Sequence, residues 1–494
     1  MNLKFGTDGI RGPVETKVTP EACLRIGHAV GIVFKELGWD TVLIGKDTRV
    51  SGYMLEAALQ AGFLSVGMDV RLLGPLPTPG VAYLTKSFRN QCGLVISGSH
   101  NDYHDNGIKI FDNSGVKIDR KIEMMIENIL NEEIASLPSV QIGKAKRFDE
   151  SGPRYIEFCK SIVPSNISFS SLRIVIDCAN GACYKVSPKV FEELGAEVII
   201  IGNEPNGYNI NKGCGSTNPD LIRTNVVKHR ADYGISLDGD GDRVIIADQR
   251  GELLDGDDLL YILAFSNPNR TGPWSGVVGT KMSNLGLEEG IKKLGYKFVR
   301  ADVGDKHVSE ALLKHGWMLG GETSGHIICK DLVSTGDGTI AALKVISSLL
   351  ILDKKPSDVL SNYTKIPQIN KNINVKNKDI VNDKELKSLI KLFPDSINIY
   401  GAFYDGQMIA GVLNIMVKKG VALAFYISHK EDFQKLRPLN LLFFDIFKWS
   451  LKNNIKVYDF GTFTDKGIAN MGLGRFKESF GASGVFRDSF KILF

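Results

Sequence analysis

The sequence predicts an α/β protein built from three tandem, related α/β domains and a C-terminal α/β domain of a different kind. Three observations predict it. A strand, helix, strand pattern recurs three times before residue 305. Each copy closes its helix-like run with a glycine and continues into an aliphatic run, which is the signature of parallel sheets covered by helices. Residues 361–494 then depart from the rest in both charge and aromatic content.

The first copy runs from "TVLIG" (41–45) through "SGYMLEAALQAGFLSVGMDVRLLG" (51–74). The second joins "RIVID" (173–177) to "ACYKVSPKVFEELGAEVIIIG" (182–202), and the third joins "GVVGT" (276–280) to "SNLGLEEGIKKLGYKFVRADVG" (283–304). Pro/Ser/charge-rich stretches around 138–153, 268–273 and 354–384 mark the borders. The expected domains are therefore 1–150, 151–268, 269–376 and 377–494. Residues 361–494 carry 20 Lys and Arg against 12 Asp and Glu, whereas the rest carries 40 against 44. The same stretch holds 20 of the 43 aromatic residues. Within it, 400–429 reads as hairpin strands and "NLLFFDIFKWSLKNN" (440–454) as an amphipathic helix, while "KVYDFGTF", "GLGRFKESFG" and "FRDSFKILF" complete a small α/β domain.

Composition excludes several classes. The apolar run "IAALKVISSLLIL" (340–352) is too short and interrupted to span a bilayer, and "MNLKFGTDG" lacks the hydrophobic region of a signal peptide. A cytoplasmic protein without a membrane span is expected. The seven cysteines (23, 92, 159, 178, 183, 214 and 329) are odd in number and form no C-x-x-C pair, which argues against a disulfide framework or a structural zinc site. They read as core fillers. The basic tail reads as a lysine-rich solvated surface, because no nucleic-acid-binding signature accompanies it.

Three segments carry chemistry. In "LVISGSHNDYHDNGIKIF" (94–111) a buried strand breaks into small and polar residues around Ser99; on its own this is a turn. "ISLDGDGDRVIIAD" (235–248) sets Asp238, Asp240 and Asp242 at alternate positions with glycines between them. Three carboxylates so close repel one another unless a cation lies among them, so a divalent metal is implied. An EF-hand would need Gly sixth and Glu twelfth, where this chain has Arg243 and Gln249. Magnesium in another oxygen-rich site is the better reading. "GWMLGGETSGHIICK" (316–330) offers Glu322, Ser324 and His326, a mixture of donors and acceptors suited to sugar hydroxyls; a polar turn between two strands would look the same. His100 and His104 stand four apart, but the turn formers around them speak against a metal-binding helix.

Together, "FGTDGIRG" (5–12), "SGSHNDYHDNGIKIF" (97–111), "DGDGDR" (238–243) and "GETSGH" (321–326) resemble, in order and spacing, the α-D-phosphohexomutases, most closely their phosphoglucosamine mutase group. The resemblance covers residues 1 to about 376 and implies domains of phosphohexomutase type: I with the phosphoserine loop, II with the metal loop and III with the sugar-binding loop. It implies that Ser99 is phosphorylated and that Ser99, Asp238, Asp240 and Asp242 hold Mg2+. Arg11 and Arg243 would flank the phosphoserine, and Lys109 would be a general acid/base or electrostatic stabiliser. Glu322, Ser324 and His326 would read the sugar, with Arg11, Lys109 and His326 counted beside Ser99 as catalytic. Lys306 occupies a position where the family has a basic residue; a phosphate contact and a plain surface lysine both fit. Gly98 stands where alanine is common, a change expected to loosen the loop. The implied partners are a hexose phosphate and a hexose 1,6-bisphosphate, with a homodimer left open.

The family's fourth domain, with its R-x-S-G-T-E-P-like phosphate clamp, has no counterpart in the sequence after residue 370. The tail instead resembles a GNAT-like unit of the Fem-type acyltransferases, which implies an acyl donor there. The leading expectation is thus a magnesium-dependent phosphohexomutase acting on glucosamine phosphate or glucose/mannose phosphate. The alternatives are a cell-envelope N-acyltransferase with a sugar-phosphate-binding body, and a non-catalytic sugar-phosphate-binding protein. Arg437, Arg475 and Lys477 are the candidates in the tail for a substitute phosphate clamp; as surface charges they would more ordinarily be solvated.

Overall fold

The computed structural model describes residues 3–368 apart from 7, 89 and 90, and, in the tail, 390–460, 464–465, 468–469 and 477. The chain divides into two compact units, Met1–Gln368 and Ile369–Phe494.

The three repeats of the first unit fold as the sequence predicts. Strand Thr41–Lys46 lies parallel to Asp69–Pro75 across helix Ser51–Ser65. Arg173–Asp177 lies parallel to Glu197–Ile201 across Val186–Glu193, and Gly276–Thr280 parallel to Lys297–Ala301 across Leu285–Lys293. Each helix ends before a glycine with positive φ: Gly67 at 75°, Gly195 at 100° and Gly295 at 89°. These are left-handed positions that a side chain would strain.

In each sheet one strand runs antiparallel to its neighbours, and the chemistry-bearing motifs lie at the turn that leads into it. In the six-stranded sheet the strands lie in the order Ile10–Pro13, Asp105–Phe111, Gln91–Ile96, Thr41–Lys46, Asp69–Pro75, Ala145–Arg147. Gln91–Ile96 and Asp105–Phe111 are antiparallel, so the Ser99 segment is the reversal between them. In the second sheet the antiparallel pair Leu237↔Val244 closes the Asp238–Arg243 loop. In the third, Gly321↔Ile327 closes the loop carrying Glu322 and Ser324. One buried cluster runs from Leu43 to Tyr363 and joins the segments of all three sheets, while a second fills the space under helices Pro20–Glu36 and Ser51–Ser65. Those two helices touch closely at Gly27, where a Cβ would come within 2.4 Å of the Leu59 carbonyl oxygen.

Helix Gly338–Leu352 is largely buried, and no helix among the described residues is long and apolar enough to cross a membrane. All seven cysteines are free and buried.

In the second unit, strands Ile397–Tyr404, Gln407–Lys418 and Val421–His429 form an antiparallel meander. Its first turn is Asp405-Gly406, both with positive φ, as a two-residue hairpin requires. Helix Pro438–Lys452 packs Leu439, Leu442, Phe443 and Ile446 on Ala402, Ile409, Ala410 and Val412. Strand Val457–Asp459 then returns parallel to Val421–Leu423. "GLGRFKESFG" and "FRDSFKILF", with Arg475, lie outside the described residues apart from Lys477. Lys477 is buried rather than solvated, and its Nζ donates to the Phe460 carbonyl at 2.7 Å. Arg437 is exposed.

Candidate active site

The Asp238–Arg243 loop turns tightly because Gly241 takes φ 72°, and it lies against the Ser99 loop because Gly239 has no side chain. A Cβ on Gly239 would fall 2.6 Å from the Ser99 carbonyl oxygen. The close approach brings residues 139 positions apart into contact: Ser99 Oγ donates to Asp238 Oδ2 at 2.8 Å. Ser99 itself is held at φ 52°, in the left-handed region.

Asp238, Asp240 and Asp242 are all buried, and each offers one carboxylate oxygen within 4.8 Å of the others. Lys109, fully buried on the strand after the Ser99 loop, donates from Nζ to Asp240 Oδ2 at 2.8 Å and to Asp242 Oδ2 at 2.9 Å. Thr78 Oγ1 donates to the same Asp240 oxygen at 2.5 Å. The Oδ1 atoms of Asp240 and Asp242 are buried without a hydrogen-bond donor. Burial, and then the neighbouring carboxylates of Asp242 and Asp240, push the Asp238 carboxyl well above the usual range. Burial would raise Asp242 too, but Lys109 and then His326 outweigh it and hold it well below. Burial would lower the Lys109 ammonium, and its three acidic neighbours instead raise it well above an ordinary lysine. Hard oxygen ligands, two orphaned acceptors and one carboxyl forced towards neutrality fit a small divalent cation.

The remaining predicted residues surround this centre unequally. Arg11 sits on strand Ile10–Pro13, opposite Gly107, and pairs with Asp8. Arg243 donates its backbone N–H to Asp238 Oδ1 at 3.1 Å, while its Nε lies 3.8 Å from Asp242 Oδ1. Burial, followed by the charges of Arg243 and Arg11, pushes His100 down to about 4; its Nδ1 lies 3.4 Å from Ser99 Oγ. His326 is buried, with Nδ1 3.6 Å from Asp242 Oδ1 and Nε2 accepting from the Gly336 amide at 3.1 Å. That amide leaves the neutral ring's proton on Nδ1, facing Asp242. Burial would lower the His326 pKa, but Asp242 outweighs burial and raises it. Glu322 is buried and accepts from the Gly304 amide at 2.8 Å, while Ser324 is exposed at the tip of its loop. That loop meets the strand that leaves the Asp238–Arg243 loop, since the Val244 amide donates to the Gly325 carbonyl at 3.1 Å. Lys306 is neither free nor plainly on the surface: its Nζ pairs with Glu123 Oε1 at 2.9 Å. His104 is exposed, and residues 97–104 form no helix. Gly98 is tightly enclosed rather than loose, because a Cβ there would lie 2.9 Å from Arg49 Cζ.

Several residues of the centre were not singled out from the sequence. Asp8, within "FGTDGIRG", pairs with Arg11, with Lys117 and, at 3.4 Å, with Lys109. Burial would raise its carboxyl, but these three cations hold it far below the usual range. Lys117 also pairs with Asp305, whose Oδ2 lies 3.9 Å from His326 Nε2. Asp47, Arg49 and Ser97 form a buried polar group behind Ser99. The only signal for it was "KDTRVSG" directly after an aliphatic strand.

Profiles described as phosphoglucomutase/phosphomannomutase α/β/α domains I, II and III match residues 2–136, 153–251 and 255–366, and one described as an acetyltransferase (GNAT) domain matches 379–478. A phosphoglucosamine mutase of Marinomonas sp. is 51% identical over 404 residues, covering 81% of this chain and 90% of its own length. That of Cellvibrio japonicus is 49% identical, covering 80% and 89%. Among solved structures, a phosphoglucomutase/phosphomannomutase family protein from Burkholderia thailandensis shares the fold at a TM-score of 0.64 and 21% identity, over 90% of this chain and 97% of its own. N-acetylphosphoglucosamine mutase of Aspergillus fumigatus, solved with GlcNAc-6P and magnesium, does so at 0.52 and 16%, over 82% and 84%. Three matching domains in order, carried by relatives of about half identity, make this chain a member of the phosphoglucomutase/phosphomannomutase family, with a GNAT-type domain at its C-terminal end.

Proposed function

We propose that the chain is a magnesium-dependent phosphohexomutase that interconverts the 6- and 1-phosphates of glucosamine through a phosphoryl group on Ser99. The observation that carries the reading is the buried contact of Ser99 Oγ with Asp238 at 2.8 Å, beside two further carboxylates held by Lys109. Relatives of about half identity are phosphoglucosamine mutases, which supports glucosamine phosphate as the substrate.

In the first half-reaction a sugar hydroxyl oxygen attacks the phosphorus on Ser99; the new P–O bond forms as the P–Oγ bond breaks, and the proton that the sugar hydroxyl gives up is matched by the one that Ser99 Oγ takes. The resulting hexose 1,6-bisphosphate turns over, and Ser99 Oγ attacks its other phosphate; the P–Oγ bond forms as the sugar P–O bond breaks, which restores the phosphoserine and releases the isomeric monophosphate. Magnesium, held by Asp238, Asp240 and Asp242 with an oxygen on Ser99, supplies charge neutralisation at phosphorus when bound. Lys109 stays an ammonium and offers hydrogen bonds to developing negative charge, so it acts as a stabiliser or acid rather than a base. Arg11 and Arg243 each keep a buried Nε–H without a hydrogen-bond acceptor, which suits them to phosphate oxygens. Glu322 and Ser324 read the sugar hydroxyls, with His326 beside them. The seven free cysteines suit a reducing cytoplasm.

A second reading, acyl transfer by the tail, is favoured by the GNAT match over 379–478. The discriminating experiment incubates the full chain and magnesium with a panel of hexose monophosphates and a trace of hexose 1,6-bisphosphate, followed by phosphorus NMR. Conversion between glucosamine 6-phosphate and 1-phosphate is expected; no isomerisation of any substrate would sink the mutase reading.

A further inference from the structure

We infer that Arg49 and Asn211 are positioning residues that grip the Ser99 loop by its carbonyl oxygens and so aim Ser99 Oγ at Asp238; this rests on the phosphoserine reading above. The loop needs such a grip. Ser99 sits at φ 52°, where a side chain is disfavoured, and it lies in a reversal with no ladder hydrogen bonds of its own.

Arg49 supplies one jaw. Its side chain is fully buried, with Nε donating to Asp47 Oδ2 at 2.8 Å. One terminal nitrogen donates to the carbonyls of Ser99 at 3.0 Å and Asn101 at 2.8 Å, and the other donates to that of Asp102. Only a planar fork with five donors can serve a carboxylate and three carbonyls at once. Asn211 supplies the other jaw from a distant segment, donating from Nδ2 to the Ser99 carbonyl at 2.9 Å and the Asn101 carbonyl at 3.1 Å. Behind them the Ser99 amide donates to Ser97 Oγ at 2.8 Å, and Ser97 Oγ donates to Asp47 Oδ2 at 2.6 Å. Every polar atom of Ser99 is therefore engaged, and Oγ is the one that bonds the acidic triad. Among the described residues, neither Arg49 nor Asn211 hydrogen-bonds or pairs with Asp238, Asp240 or Asp242. Their effect on the reaction must pass through the serine backbone. Gly98 belongs to the same device, since a Cβ there would press on the Arg49 guanidinium.

The test uses the full chain with Asn211→Ala and Arg49→Lys. The rate of Ser99 phosphorylation by saturating glucose 1,6-bisphosphate is followed by rapid quench and phosphopeptide mass, alongside the KM for the bisphosphate and hydrogen exchange at 98–102. A misaimed nucleophile costs rate rather than affinity, so the phosphorylation rate should fall about 10- to 100-fold with KM nearly unchanged and faster exchange in the loop. A purely structural role would lower the melting temperature and leave the rate per folded molecule intact. Because both residues grip the same carbonyl, the double variant should lose less than the product of the single losses. If Arg49→Lys does not fold, Asn211→Ala decides. A folded Asn211→Ala protein with the wild-type rate overturns the assignment alone, whereas a wild-type chain that never takes phosphate on Ser99 overturns the phosphoserine reading and the assignment with it.

Discussion

Replacing Lys109 with methionine keeps the length and apolar stem of the side chain and deletes only its charge. The wild-type ammonium lies 2.8 Å from Asp240 Oδ2 and 2.9 Å from Asp242 Oδ2, with all three groups buried. At an effective dielectric of about 20, each contact is worth about 6 kcal/mol of gross attraction. Desolvation of the ammonium takes back much of this, and deleting one partner of such a buried pair costs about 3–5 kcal/mol, because the carboxylates are left uncompensated. In metal-free buffer, Lys109→Met should therefore lower the stability of the body by that amount in urea unfolding. With magnesium added, the variant should gain more than the wild type, because the ion replaces the lost ammonium as the counter-charge beside Asp240 and Asp242. Phosphoryl transfer should stay about 100- to 1,000-fold down even at saturating magnesium, as for loss of other preorganised donors. A variant as stable as the wild type without magnesium, or one that magnesium stabilises no further, would refute the counter-charge role of Lys109.

Asp337 caps helix Gly338–Leu352 and accepts from Tyr155 Oη at 2.8 Å; burial, above all, pushes its pKa from 3.8 up to about 6. The folded chain thus binds a proton that the unfolded chain releases between those values, and wild-type stability falls as pH rises through this window and is flat above it. Asp337→Asn escapes that loss, so its stability relative to wild type should improve by about 2.4 kcal/mol from pH 4 to 7, read by urea titrations; a pH-independent difference would contradict this. Lys306→Met should cost about 1 kcal/mol through its lost pairing with Glu123 and leave the KM for sugar phosphate unchanged; a raised KM at full stability would restore it as a phosphate contact. Deleting residues 385–494 should leave Ser99 phosphorylation intact, because the side chains bonded to Ser99 and to the acidic triad lie in the first unit; a folded truncated body that takes no phosphate on Ser99 would contradict this.

The parallel units were legible because their signal is local: aliphatic runs, a glycine stop and a helical face each time fall within a short stretch of the chain (41–74, 173–202 and 276–304). The Asp238, Asp240, Asp242 loop was legible for the same reason, since its chemistry is written in alternate positions of one turn. Asn211 was not. It lies in "NEPNGYNINKGCGSTNPD", rich in Asn, Gly and Pro that read as turn, and its role arises only because folding brings it to a carbonyl 112 positions away. Arg49 was not singled out either, because nothing local marks an arginine just after a strand as buried, and yet its guanidinium is wholly so. Lys306 could be read two ways because its partner, Glu123, is 183 residues distant. Gly98 misled in sign: the absence of a Cβ suggested slack, whereas the space is filled by the Arg49 guanidinium.

Phosphate on Ser99 is the most direct readout of the whole arrangement. Full-length protein incubated with glucose 1,6-bisphosphate and magnesium, then digested and mapped by mass spectrometry, should carry one phosphoryl group on the peptide containing Ser99. Glucosamine 6-phosphate should discharge it, and Ser99→Ala should carry none. A peptide that remains unmodified after prolonged incubation, or a phosphoryl group on another residue that survives in Ser99→Ala, would contradict the assignment of Ser99 as the phosphate carrier.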